Sequence, residues 1–128
     1  MRGISPRRGV WLLAAGRSAL GVAVLVAPEQ VTARWLGEEN ARLAVVGALA
    51  RPLGVRDLAL GLATLRTLED PVVGPMVQAA CAAVDTVDAL ATILARDALP
   101  RKGVLGTVAL AGAGAAAGFY WSHRLAHD

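Results

Sequence analysis

The chain has 128 residues, of which 55% are hydrophobic and only 18% charged, with a formal net charge of +3. That length holds one domain, and the charged share falls below the roughly one quarter of an ordinary soluble domain. The basic residues are scattered arginines with a single lysine, beside one Phe and one Tyr, so no basic stripe with stacking aromatics exists and nucleic acid is excluded as a partner.

The apolar residues gather in four blocks, which predict four transmembrane helices. The first block, residues 10–27, follows a basic run containing Arg2, Arg7 and Arg8 and is closed by Pro28. Charged and apolar regions in that order resemble a signal peptide. Arg17 in the middle and the lack of a small-x-small cleavage site argue for a retained helix. Its length is near the minimum for crossing about 30 Å of hydrocarbon. Residues 28–40 form a connector in which residues 29–36 read as a short interfacial helix, with Trp35 at headgroup level. Gly37, Glu38, Glu39 and Asn40 read as a turn that caps the next helix.

The second block, residues 41–65, carries Arg51, Arg56 and Asp57 at its centre. Pro52 and Gly54 predict a kink or a break there. Broken membrane helices often build ligand sites, and Asp57 is placed to cap the half-helix that would follow. The third block, residues 71–94, begins at a proline suited to a first helical turn. At 100° per residue, Gln78, Cys81, Asp85, Asp88 and Thr92 fall on one narrow stripe, spaced 3, 4, 3 and 4. The other faces are mostly Ala, Val, Leu and Ile. A polar stripe in a lipid-embedded helix must face protein or water. Cys81 is alone, so disulfide and paired-thiol redox chemistry are excluded, and it reads as a buried packing residue.

The fourth block, residues 103–121, ends in Trp121, Ser122, His123 and Arg124, an aromatic-then-basic anchor. Its Gly114 and Gly118 form a GxxxG, read as packing within the molecule rather than as a dimer face. His123 and His127 have metal-ligand spacing but no third ligand, so no metal site is assigned.

Short links between the blocks predict an all-α, up-down four-helix transmembrane bundle. Arg2, Arg7, Arg8, Arg66 and Arg124 fall on one side of the membrane; Arg34, Arg42, Arg96, Arg101 and Lys102 fall on the other. The equal counts leave insertion in both orientations open. The basic N-terminus favours cytoplasmic termini under the positive-inside rule.

Within the four blocks Arg17, Arg51 and Arg56 balance Asp57, Asp85 and Asp88. Charges at membrane depth persist when they are paired, solvated or functional. Three readings follow. The six residues form a structural salt-bridge network; or they bind a small anion, a lipid headgroup or a partner helix; or the two aspartates of the third helix serve as acid and base on a lipophilic substrate. A full network is a poor stabiliser relative to apolar packing, which favours binding. No nucleophile–base pair supports an enzyme, so no catalytic residue and no cofactor is assigned. The expected partners are the bilayer, the bound group and a second copy of the chain.

The segment A-R-P-L-G-V-R-D-L-A-L-G over residues 50–61, followed by D-T-V-D over 85–88, resembles the small bacterial membrane proteins grouped as "domain of unknown function 4267". The shared pattern is R-x-x-G-x-R-D-x-x-x-G on the second helix and D-x-x-D on the third, covering residues 41–94. The resemblance implies four helices, no stated activity, and an actinobacterial type of source in whose plasma membrane the chain resides. Two other small four-helix families fit less well. The multidrug exporters use a first-helix Glu where this chain has Arg17, and the motif of the fluoride channels is absent.

Overall fold

A computed structural model describes residues 3–128; Met1 and Arg2 of the basic N-terminal run lie outside them. Among the described residues the chain forms α1 (Pro6–Val26), α2 (Pro28–Leu36), α3 (Glu38–Ala41), α4 (Ala44–Thr67), α5 (Val73–Leu94), a 3-10 turn (Arg96–Ala98) and α6 (Arg101–Ala126), with no strand. Three helices, α1, α5 and α6, are long and apolar enough to cross a membrane, which fits an integral membrane protein. The fourth long helix, α4, has 24 residues, but Arg51, Arg56 and Asp57 interrupt its apolar run.

Local chemistry sets the helix ends. The Ser5 hydroxyl accepts the Arg8 N–H at 3.4 Å and Pro6 occupies the first turn of α1. A side-chain oxygen before a helix satisfies one of the orphan amides, and proline there gives up a donor that has no use. Pro28 does the same for α2, so one residue, Ala27, separates the two helices. Gly37 ends α2 at φ 88°, a left-handed backbone that favours glycine. The expected turn over residues 37–40 is mostly the short helix α3, and it does not cap α4; Leu43 precedes α4 with no side-chain cap. The Asp70 carboxylate accepts the N–H groups of Val72 and Val73 at 2.9 and 2.8 Å. Pro71 therefore sits in the turn, and α5 starts two residues later than the sequence predicted.

No break interrupts α4 at Pro52. Proline removes one amide donor, and Pro52 is exposed, so its ring meets no neighbouring helix. Asp57 is thus mid-helix, not a cap.

The long helices form a ring of antiparallel neighbours. Gly21 of α1 meets Gly54 and Leu58 of α4, while Gly61 of α4 meets Ala14 and Ser18 of α1. Likewise Gly118 of α6 lies on Ala82 and Gln78 of α5, and the Ser122 hydroxyl donates to the Pro75 carbonyl at 2.8 Å. The α1–α4 and α5–α6 interfaces are extensive; α1–α6 and α4–α5 are lighter. Glycine lets the first two close. A Cβ on Gly21 would stand 2.6 Å from the Leu58 nitrogen and 2.7 Å from the Gly54 oxygen.

Polarity runs opposite to that of a water-soluble fold. The core holds small and polar side chains, including Ala14, Ala50, Ala82, Asp57, Thr64, Gln78 and Thr92, while Trp11, Leu12, Leu94, Leu110 and Phe119 are exposed. Soluble proteins bury large apolar residues and seldom expose wide apolar surfaces.

Candidate functional site

The charged residues meet where α1, α4 and α5 converge. Arg17 of α1 donates through Nη2 to Oδ2 of Asp85 at 2.6 Å and through Nη1 to Oδ1 of Asp57 at 3.3 Å. Its Nη2 also reaches the Cys81 carbonyl at 3.4 Å. Arg56 contacts the same Asp57 oxygen, through Nη2 at 3.1 Å and Nε at 3.3 Å. It then holds Asp88 with two parallel bonds, Nη1 to Oδ1 at 3.0 Å and Nη2 to Oδ2 at 2.7 Å. The result is a continuous chain of alternating charge, Asp85–Arg17–Asp57–Arg56–Asp88. Two-pronged arginine–carboxylate pairs of this kind are among the stronger hydrogen bonds a protein makes, and they fix orientation as well as energy.

Five of the six residues expected in the network are therefore brought together. Arg51 is not. It is exposed and has no ion-pair partner among the described residues. The reason is helical geometry. In an unbroken α4, Arg51 lies 600° of winding from Asp57, or 120° after whole turns, which carries it off the inward face. Without Arg51 the expected balance of three against three becomes three carboxylates against two guanidiniums.

The network is not equally enclosed along its length. The side chains of Asp57, Arg17 and Asp85 are 11, 13 and 15% exposed, whereas Asp88 and Arg56 are 29 and 31% exposed. The open end lies on the lighter α4–α5 contact. No buried side-chain nitrogen or oxygen among the described residues lacks a partner.

The stripe on α5 points inward as the spacing required. Gln78, Cys81 and Thr92 are all nearly fully buried. Cys81 Sγ lies 3.5 Å from Oγ1 of Thr64, a packing role for the thiol. Thr92 accepts the indole N–H of Trp35 at 3.1 Å. Trp35 thus locks α2 onto the end of α5, a contact that the sequence did not disclose. Gly114 was also missed as a site residue. A Cβ there would stand 2.7 Å from Oδ2 of Asp85, so α6 leaves room for the carboxylate by omitting a side chain. With Gly118 against Ala82, the GxxxG of α6 packs within the molecule.

Two cavities lie away from the network. One, of about 60 Å³, sits between the α4–α5 turn and the end of α6; the other, of about 370 Å³, is a surface cup on α2 and α3. None of the five network residues lines either. His123 and His127 pack with ring centroids 4.3 Å apart and planes tilted by 40°, and no metal-binding cluster occurs among the described residues.

Fold and site together define a helical protein with three membrane-length apolar helices and a charged core. Comparison of the chain with family models, curated proteins and solved structures finds no match.

Proposed function

We propose that the chain is a non-enzymatic integral membrane protein, a four-helix transmembrane bundle in a bacterial plasma membrane with cytoplasmic termini. Its charged core sets the register of α1, α4 and α5 and offers its open Arg56–Asp88 end to a polar group of a partner helix. It is of the type grouped as "domain of unknown function 4267". The observation that carries this reading is the alternating chain from Asp85 to Asp88, enclosed by helices whose outer faces are large and apolar. In the fourth span, α4, Asp57 and Arg56 are compensated in that chain, as charges at membrane depth need to be, while Arg51 stands outside it, two turns from the start of the helix.

A small anion is the less favoured guest. Both guanidiniums of the network are occupied by carboxylates, and carboxylates are in excess. The acid–base enzyme is also less favoured, since neither cavity reaches Asp85 or Asp88 and both are held by arginine.

Two measurements test the proposal. After alkaline washing of membranes from expressing cells, the chain should stay in the pellet; recovery in the wash would reject the membrane reading. In detergent, Asp88→Asn should weaken binding to a co-purifying membrane partner more than it lowers thermal stability. A variant that keeps its partner but loses thermal stability would show a purely structural core.

A further inference from the structure

An ion pair that is about 30% open, set in the apolar outer faces of α4 and α5, is at odds with a lipid surface. The exposed or half-exposed residues around it are small or apolar: Ala59 and Ala63 on α4, and Ala80, Val84 and Ala91 on α5. We propose that this α4–α5 seam is the interface of a homodimer, in which the Arg56–Asp88 pair of one copy packs against the Arg56–Asp88 pair of the other. The proposal rests on the membrane reading above and names the partner helix.

Charge complementarity chooses the occupant. Arg56 and Asp88 pair directly through two bonds, so they stand at one height along antiparallel helices. A two-fold axis along the membrane normal, passing through the seam, brings α4 of one copy to α5 of the other. It leaves all heights unchanged. Arg56 then faces the second copy's Asp88, and Asp88 faces its Arg56, giving a closed square of alternating charge. A lone Arg–Asp pair is thus its own complement under the symmetry that dimers most often use. Small side chains on both helices allow the backbones to approach, which is how helices associate in lipid. The outer face of α6 around Leu110 carries no mid-helix charge to be covered, and Arg51, on another face of α4, has no carboxylate beside it among the described residues to make a self-complementary pair.

The test is disulfide cross-linking in native membranes between two separately tagged, co-expressed chains. Both carry Cys81→Ala, which removes the native thiol. One carries Ala63→Cys and the other Val84→Cys, so only contact between chains gives a cross-link. Both substitutions are outside the ion network, which keeps the fold intact. The proposal expects a species of two chains that carries both tags. Pairing Ala63→Cys with Phe119→Cys, an exposed α6 position at the same height, should give none. Mass measurement of the unmodified chain in mild detergent should give a dimer.

Membrane-extracted chains that yield no 63–84 cross-link and a monomeric mass, with or without bound lipid, would overturn the dimer and leave the membrane reading standing. Equal cross-linking at Phe119 would overturn it too, by showing random collision. Recovery of the chain in the alkaline wash would remove the membrane reading first.

Discussion

The joint between α1 and α4 and the joint between α4 and α5 are built from different materials. At the first, Gly21, Gly54 and Gly61 bring backbone close to backbone over most of the contact, with the Arg17–Asp57 pair beside it. At the second, contact is lighter, and a long side chain spans the gap: Arg56 of α4 reaches Asp88 of α5, while Arg17 of α1 comes alongside to hold Asp85. The difference shows how a small chain can be rigid inside two helix pairs and still specific between them. Close packing has little register preference when both surfaces are small. Ion pairs have a strong one, because a charge moved by one helical turn loses its partner.

The comparison can be broken first at the glycine joint. A Cβ on Gly61 would collide with the Ser18 hydroxyl and lie 2.9 Å from the Ala14 carbonyl. Overpacking costs about 1–3 kcal/mol even where side chains can shift, and here backbone blocks the way. Gly61→Leu should therefore give no folded monodisperse protein in detergent, as read by size-exclusion chromatography. A well-folded variant would mean that α1 and α4 are less tightly joined than described.

Next comes the charged joint. Arg17→Gln leaves Asp85 without its cation, and breaking a buried pair from one side costs about 3–5 kcal/mol. Thermal unfolding in detergent should show a large drop. Asp88→Asn acts at the open end and should cost less than Arg17→Gln. Reversal of that order would place the strain at the wrong end of the network.

A smaller effect belongs to Trp35→Phe, which removes the indole donor to Thr92. Losing one neutral hydrogen bond costs about 1 kcal/mol, and the α2–α5 contact should loosen without disturbing the core. Hydrogen exchange confined to α2 would show this. The smallest effect is at Asp70, outside the long helices. The N–H groups of Val73 and then Val72 hold its carboxyl below the usual carboxylate range. A folded-state pKa lowered in this way adds stability above the unfolded-state value, and that stability fades as pH falls through the folded value. Acid should therefore fray the start of α5 in the parent chain but not in Asp70→Ala.

Much of this was legible in the sequence. The inward stripe on α5 follows from spacing alone, since Gln78, Cys81, Asp85, Asp88 and Thr92 share a face of any α-helix. Arg17, Asp57 and Arg56 were legible as charges in need of partners, although not who pairs with whom. Arg51 is misplaced in the sequence reading, which allowed a kink or a break at Pro52. A continuous α4 fixes Arg51 outside, and the sequence does not reveal whether a single exposed proline interrupts a helix that its neighbours support. Gly114 was legible as a packing position through its GxxxG, although not that it faces Asp85. The close approach at Gly21 and the reach of Trp35 to Thr92 join residues far apart in the chain, and no local pattern encodes them.

The most direct test of a charged core that ties α1 to α5 is a double-mutant cycle on Arg17 and Asp85, read by thermal unfolding in detergent. Arg17→Gln and Asp85→Asn should each destabilise, and the double variant should be much more stable than the sum of the two losses implies. Contacting residues in one ion network show coupling of about 0.5–3 kcal/mol. Losses that simply add, or single variants as stable as the parent, would contradict the account.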